Sequence, residues 1–394
     1  MLREEMKKIL TWKKLLLILA VTVLYFLLFL HPYVVIYEGS YHQEAEIAKT
    51  LTDRYGTEIT AEEYEQMKQE VPFDGKELLD EIASGLPGFQ ERGIQDMREF
   101  LFDETLGEDE KEALWEALYE AINFVEPYED MSETFTDVIE LSYWDSYLDS
   151  YQTEALDPPA SGTAYYEDLN EGQTERVQER NKREVRAVLP AQMADTNFEV
   201  LQFLAPLMVI GVILLILPYM VRENRSGMTA IQYSSPRGRR CYAVRLKAAA
   251  LSSLLLLLFY IGLYAVTAEI NGVFDFWNTP ISACTTRFIS WFPWTLGQVT
   301  ASAVGLACAA AFGAGIMTFV ITSSCRNYIT AIAAQLPLLI AGIAFGIFFL
   351  KSFTEITQDR YLAFLIGIGW LAAGVLCGLM RYWAERRRDL ADQG

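Results

Sequence analysis

The 394-residue chain has few of the residues that build metal sites or disulfide frameworks. It holds two histidines, His31 and His42, and five cysteines, all at residue 241 or beyond. No group of them has the spacing of metal ligands, so we expect no metal centre. A domain formed by residues 31–198 has no cysteine and must be held together by its packed core.

The long apolar segments also lack ionisable residues. Six segments have the roughly 20 apolar residues that a transmembrane helix needs, and none carries a charge in its central part. They cover residues 15–36, 200–220, 248–268, 296–322, 328–350 and 362–383. Ion-coupled carriers and intramembrane enzymes place ionisable groups at that depth. We therefore do not expect this chain to be an enzyme.

The charge of the chain is divided very unevenly. Residues 31–198 hold 41 acidic and 12 basic residues, a balance of -29, whereas the remainder has a balance of +9. No basic surface of useful size exists outside short loops, which argues against a nucleic-acid partner. The acidic region is interpreted either as a solvated exterior or as a surface that attracts cationic ligands.

Basic residues predict the orientation of the chain. The N-terminus, the C-terminal tail and the loop of residues 221–247 are rich in Lys and Arg, which resist translocation. No A-x-A-like cleavage site follows the first apolar run, which therefore predicts an uncleaved anchor. The sequence predicts a multi-pass protein of a bacterial plasma or inner membrane, with both termini in the cytoplasm.

These patterns predict an α-helical polytopic membrane protein with six transmembrane helices. Residues 1–36 would form the cytoplasmic N-terminus and the first span, and residues 199–394 the other five spans and the C-terminal tail. Residues 37–198 would form a mainly helical extracytoplasmic domain between the first and second spans. Its clearest helix is predicted at residues 108–126, from apolar residues on one face.

Two shorter patterns predict local structure in this domain. Thr60 and Glu63 have capping-box spacing, which predicts the start of a helix. Residues 134–143 are a candidate for a strand. An aromatic cluster allowed two interpretations, a recognition patch or core packing. Its members are Tyr143, Trp144, Tyr147 and Tyr151.

Small residues recur at four-residue spacing in the last three spans, where they allow close approach of helix backbones. These residues are Ala301, Gly305, Ala309 and Gly313, then Gly342 and Gly346, then Gly374 and Gly378. They favour either internal packing or a subunit interface. Between the third and fourth spans, Trp277, Trp291 and Trp294 are typical of interfacial anchoring, or of a lateral gate for an amphipathic substrate.

The basic loop contains an ordered pattern that charge alone does not explain. Glu223 is followed by Gly227, a short apolar stretch, and a Ser-Pro pair ending at Pro236. Arg239 and Lys247 then lead into the third span. This order resembles the second cytoplasmic segment of permease subunits of ABC transporters of the ABC-2 type. The family often has Thr after the Gly, whereas this chain has Met228.

The resemblance implies a permease subunit of an ATP-driven exporter of a peptide, lipid or hydrophobic substrate. The loop would dock on a separate ABC ATPase subunit, with Met228 and Ile231 as buried anchors and Glu223 and Arg239 as rim contacts. This chain has no G-x-x-x-x-G-K-[ST] motif, so ATP and Mg²⁺ would bind the partner and no cofactor would bind this chain. A second permease, identical or related, would complete the transporter.

Several alternatives stay open from the sequence. The chain could be a membrane-anchored receptor or sensor whose acidic outer domain binds a cationic ligand. It could be a membrane enzyme, which the lack of ionisable groups disfavours, or a four-span type of ABC permease, which the six spans disfavour. The basic loop could also serve orientation alone.

Overall fold

The computed structural model describes residues 1–36, 41–103, 105–125, 133–156, 169–225, 241–325 and 327–387. Helices make up most of these residues, and the described chain has no strand beyond two isolated bridges. The fold consists of two units. The spanning unit comprises Met1–Ser40, Gln192–Ile281 and Phe288–Gly394, and the inserted unit comprises Tyr41–Ala191 and Ser282–Arg287.

The chain begins with a short helix, α1 (Leu2–Ile9), which buries Glu5 and Ile9. Thr11 has an extended backbone with φ of -81°, so the helix stops and a second one begins. This is α2 (Trp12–Tyr25), which passes through a π-helical turn into α3 (His31–Ile36).

The inserted unit contains eight described helices that pack around one apolar core. They are α4 (His42–Tyr55), α5 (Ala61–Gln69), α6 (Glu77–Gly85), α7 (Pro87–Arg92), α8 (Met97–Leu101), α9 (Glu108–Val125), α10 (Glu133–Ser150) and α11 (Glu171–Arg183). The predicted capping box is confirmed, since Thr60 and Glu63 bond each other's backbone N–H at the start of α5. The predicted helix at residues 108–126 is confirmed as α9, which buries Leu114, Leu118 and Ile122.

One local prediction in this unit is wrong. Residues 134–143 lie within helix α10 and form no strand. The β-branched and aromatic residues there favour a strand locally, but they pack on one face of a helix, and packing overrides weak local preference. Trp144, Tyr147 and Tyr151 are buried in the core, as core packing requires.

Five further helices complete the spanning unit. They are α12 (Ala191–Arg225), α13 (Cys241–Ile270), α14 (Leu296–Ser323), α15 (Tyr328–Ala344), which a π-helical segment extends to Leu350, and α16 (Leu362–Arg387). Together with the stretch Trp12–Val34 they are six helices long and apolar enough to cross a membrane. The prediction of a helical, multi-pass membrane protein is confirmed at this level.

The boundary of the inserted unit differs from the predicted range of 37–198. Helix α12 already begins at Ala191, because the polar residues 191–199 continue the helix although they lack the apolar character of a span. In addition, Ser282–Arg287, from the connection between α13 and α14, belongs to the inserted unit. Its attachment depends on backbone bonds and one buried arginine, which no hydropathy pattern reveals.

Helices α14 and α16 approach each other closely in the spanning unit. A Cβ atom added to Gly374 would lie 2.5 Å from the carbonyl oxygen of Gly313. One added to Gly313 would lie 2.6 Å from the carbonyl oxygen of Trp370. The two glycines therefore let the backbones touch, which is how small residues pack membrane helices.

The other predicted small residues fall into two groups. Gly342 and Gly346 face Val209 and Pro206 of α12, and Gly378 faces Ile316 of α14. These glycines lie at contacts inside the spanning unit. The remaining three point elsewhere: Ala301 and Gly305 are exposed and Ala309 is half-buried.

The three predicted interfacial tryptophans are half-buried and tied to their neighbours. The ring of Trp277 covers Gly297 at the start of α14. The Nε1 atom of Trp291 donates a hydrogen bond to the carbonyl of Gln358 at 2.7 Å. Trp294 stacks on Phe292 with a centroid distance of 4.5 Å. This part of the connection is thus a folded structure and more than a row of anchors.

Candidate functional site

The predicted coupling residues cluster around the connection between α12 and α13. Five of them, Gly227, Met228, Ile231, Pro236 and Arg239, lie outside the described residues. Glu223 is described, and it lies in the last turn of α12. The two helix ends that hold the connection, Arg225 and Cys241, are also described. Glu223 and these two helix ends form the described part of the site.

Glu223 is held between two basic side chains of the same chain. Its carboxylate accepts a hydrogen bond from the guanidinium of Arg245, on the second turn of α13, at 2.5 Å. Its other oxygen lies 3.6 Å from the ammonium of Lys8 on α1. The Glu223 side chain is 14% exposed and that of Arg245 is 5% exposed. Glu223 thus joins α12 to both α13 and α1.

A second carboxylate, Glu5, extends this network. It accepts a hydrogen bond from the hydroxyl of Tyr219 at 2.5 Å and one from Lys8 at 2.9 Å. Burial favours a raised pKa for Glu5, but the bonds from Tyr219 and Lys8 outweigh it and lower the pKa below its ordinary 4.5. Burial likewise opposes the charge of Lys8, yet Glu5 and Glu223 raise its pKa above 10.5. Both groups are therefore charged at neutral pH.

Asn224 attaches the same turn of α12 to the end of α14. Its Nδ2 atom lies 3.0 Å from the carbonyl oxygens of Thr322, Ser323 and Cys325. Helix ends leave carbonyls without intrahelical partners, and here a side-chain amide from another helix supplies the donor. The last turn of α12 is therefore bonded to three other helices, α1, α13 and α14.

We define the coupling base as Glu5, Lys8, Glu223, Asn224 and Arg245. Sequence reasoning found one of these five residues. The other four carry weak sequence signals: Glu5 and Lys8 are three residues apart on an amphipathic helix, and Arg245 is one of several arginines. Which arginine meets Glu223 depends on the crossing of α12 and α13, and no local pattern determines that.

Polar side chains deeper in the spans are used to join helices. Asn197 of α12 donates to the hydroxyl of Thr300 on α14 at 3.0 Å and accepts from the hydroxyl of Tyr264 on α13 at 2.5 Å. Thr318 of α14 donates to the side-chain oxygen of Gln335 on α15 at 2.9 Å. Within the described ranges, no group of three or more His, Cys, Asp or Glu residues could hold a metal ion.

The coupling base bonds the last turn of α12 to α1, α13 and α14, so four helices are joined next to the connection between α12 and α13. Comparison with known proteins adds no identification, because no family model, no curated protein and no solved structure matches this chain.

Proposed function

We propose that the chain is the permease subunit of an ATP-driven exporter of the ABC-2 type. The coupling base is the observation that carries this proposal. A connection that served orientation alone would need basic residues, but it would not need its ends bonded to three other helices. The Glu-Gly-Pro-Arg order of residues 223–239 supports the same proposal through its resemblance to that family.

In this proposal a separate ABC ATPase grips residues 226–240 and moves them when it binds and hydrolyses ATP. Met228 and Ile231 are the side chains that the ATPase buries. Gly227 and Pro236, on either side of them, set the path of the loop. Arg239 is a rim contact. Glu223 differs from the rim contact expected from sequence alone, because its carboxylate already bonds Arg245 and approaches Lys8. We assign it to the mounting of the loop.

The contacts of the coupling base determine which helices would move with the loop. α12 and α13 are joined through Glu223 and Arg245, and α14 follows α12 through Asn224. α16 would follow α14 because Gly313 and Gly374 bring their backbones into contact. Movement of the loop would thus shift a group of helices together, which is what alternation between two states of a transporter requires.

The proposal includes an orientation and a location. The basic loop and both termini would lie in the cytoplasm of a bacterial cell, with the inserted unit on the opposite side of the membrane. A second permease, identical or related, would pair with this one. The substrate would be a peptide, a lipid or a hydrophobic compound, and the acidic surface of the inserted unit would favour cationic peptides among these.

A receptor or sensor is the second candidate, and the inserted unit is the observation that favours it. This unit is a folded helical body with its own buried ion pairs, among them Arg180 with Glu154. A ligand-binding domain of a sensor has the same independence. The coupling base distinguishes the two candidates, because a sensor would not lose an ATPase when the loop is changed.

The test is gentle solubilisation of the tagged full-length chain from native membranes, followed by identification of copurifying proteins. We expect a Walker-motif ATPase with the unchanged chain. Its recovery should fall at least tenfold when Met228 and Ile231 are both changed to Asp, because two charges in a buried contact remove its anchors. Ile329→Asp, which adds a charge at an exposed position away from the loop, is the control. Absence of any ATPase under several mild detergents would favour the sensor.

A further inference from the structure

The spanning unit has an apolar groove near its basic end. α2 and α13 form its two walls and α12 its floor, and its volume is about 320 Å³. The walls are lined by Leu15, Ile18 and Leu19 of α2 and by Leu255, Leu256 and Phe259 of α13. The floor residue Leu215 is fully buried, whereas Leu255 on the wall is 50% exposed. The groove therefore opens sideways, toward the surface that faces lipid.

Three basic residues lie where the groove ends. Lys14 comes directly before Leu15, and its ammonium donates to the carbonyls of Lys8 and Ile9 at 2.9 and 3.0 Å. An ammonium has three donors, so one is left for a further acceptor. Arg222 of α12 lies within electrostatic range of Lys14 and is exposed. Lys13, beside it, is exposed as well.

These positive charges are not balanced by nearby acids. Within the described ranges, neither Lys13, Lys14 nor Arg222 forms an ion pair. The nearest carboxylates along the chain are already bonded: Glu5 by Tyr219 and Lys8, and Glu223, next to Arg222, by Arg245. Lys14 and Arg222 repel each other, so their proximity is unfavourable unless an anion lies between them. Two like charges beside an apolar groove are suited to an amphipathic anion.

We propose that this groove is a binding site for an anionic phospholipid. The phosphate would lie between Lys14 and Arg222, within reach of Lys13, and one acyl chain would fill the groove between α2 and α13. The exposed Trp12, beside the same end of α2, has the position of an aromatic side chain at headgroup level. The site does not depend on the proposed transport function.

Binding of a lipid here would also have a structural consequence. The carbonyls that hold Lys14 belong to the last turn of α1, the helix that contributes Glu5 and Lys8 to the coupling base. A phosphate on Lys14 would therefore fix the break between α1 and α2. The lipid would support the helix that approaches Glu223.

The experiment is native mass spectrometry of the purified full-length chain with phosphatidylglycerol or phosphatidylcholine added in equal amounts. We expect the anionic lipid to bind preferentially to the unchanged chain. Arg222→Gln and Lys14→Gln should each lower that preference about fivefold, the factor expected for one basic residue near an anionic surface. Lys247→Gln, which removes an exposed charge elsewhere, should leave it unchanged.

The groove itself is tested by filling it. Leu19→Trp adds bulk at a half-exposed lining position and should lower binding of both lipids, whereas Leu258→Trp, outside the lining, should have no effect. Both positions are exposed enough for the variants to fold. Equal binding of the two lipids, or binding that none of these changes alters, would overturn the proposal. Competition by soluble glycerol phosphate with the same charge dependence, without any effect of Leu19→Trp, would reduce the site to a simple anion site and also overturn it.

Discussion

The two units of this chain solve the same problem, burial of polar groups, in opposite ways. The inserted unit buries full charges: Arg180 is 1% exposed, and its guanidinium bonds Glu154 at 2.6 Å. It also donates to the carbonyls of Ser282 and Ala283 at 2.8 and 3.0 Å. Arg176 and Glu184 form a second buried pair at 2.8 Å. Opposite charges satisfy each other here at a high desolvation cost.

The spanning unit uses neutral groups at the same depth of burial. Asn197, Tyr264 and Thr300 form hydrogen bonds across three helices. Close contacts at glycines join other pairs of helices. Its buried charges lie near helix ends: Glu5 and Arg245 in the coupling base, and Glu385, which pairs with Arg381, near the end of α16. The difference follows from the surroundings, because a charge whose partner is lost can recruit water in a soluble domain but not in a bilayer. Ion pairs therefore specify the inserted unit, and close packing specifies the spans.

The largest effect should come from breaking the central ion pair of the inserted unit. Arg180→Met leaves Glu154 buried without its cation and removes the two hydrogen bonds that the guanidinium donates to Ser282 and Ala283. We expect the inserted unit to lose about 3–5 kcal/mol of unfolding free energy. Chemical denaturation with limited proteolysis as the readout measures this loss of unfolding free energy. Arg183→Met on the exposed face of α11 is the control. A change below about 1 kcal/mol would show that packing alone holds the unit.

The second test addresses the glycine contact of the spans. In Gly374→Leu the new side chain meets the backbone of α14 at Gly313, so α14 and α16 must separate. Overpacking of this kind costs about 1–3 kcal/mol, and more where backbone must move. Thermal unfolding in detergent measures the loss. Gly369→Leu lies on the same helix with no neighbouring atom within 4 Å and should have little effect. Equal effects of the two changes would argue against a tight crossing.

The third test concerns the neutral bonds that replace ion pairs in the spans. Asn197→Leu removes the group that joins Tyr264 and Thr300. Interhelical hydrogen bonds in membranes contribute about 0.6 kcal/mol on average and up to 1–2, so we expect a loss in that range. Gln192→Leu, at an exposed position of the same helix, is the control, measured by the same unfolding assay. A loss as large as that of Arg180→Met would remove the contrast between the two units.

The smallest effect is expected from pH on the coupling base. The lowered pKa of Glu5 means that its contribution is complete above 4.5 and is lost as the pH falls through the folded value. The raised pKa of Lys8 means that its contribution is complete below 10.5 and is lost only as the pH rises further. Between these limits, hydrogen exchange in α1, corrected for intrinsic rates, should not depend on pH. Loosening of α1 between pH 5 and 9 would contradict the assigned charges.

The spans could be predicted because a bilayer dictates their length and composition. The same rule explains why the predicted range 37–198 includes residues 192–198, which lie in the spanning unit: they are helical but polar, and hydropathy does not report helices as such. The strand predicted at residues 134–143 is wrong because a local preference for strand takes no account of the packing partners that favour a helix there. The aromatic cluster around Trp144 is a core feature, as composition favoured.

The coupling base was predictable only in part. Glu223 could be found because its spacing to Gly227 and Pro236 follows a pattern along the chain. Glu5, Lys8 and Arg245 could not, because they are 218, 215 and 22 residues from Glu223: Lys8 and Arg245 contact Glu223, and Glu5 contacts Lys8, only when the helices pack. Contacts between helices depend on crossing angles and side-chain directions, which one sequence does not contain.

The central claim is that an ATPase grips the loop mounted on the coupling base. It is tested most directly by a photo-crosslinking residue placed at Met228, in native membranes, with the same residue at Ile329 as the control. Ile329 is 83% exposed at the start of α15. The account predicts a covalent adduct between position 228 and a Walker-motif ATPase, and none from position 329. The account would be contradicted if position 228 formed no crosslink to an ATPase, or if both positions formed the same crosslinks.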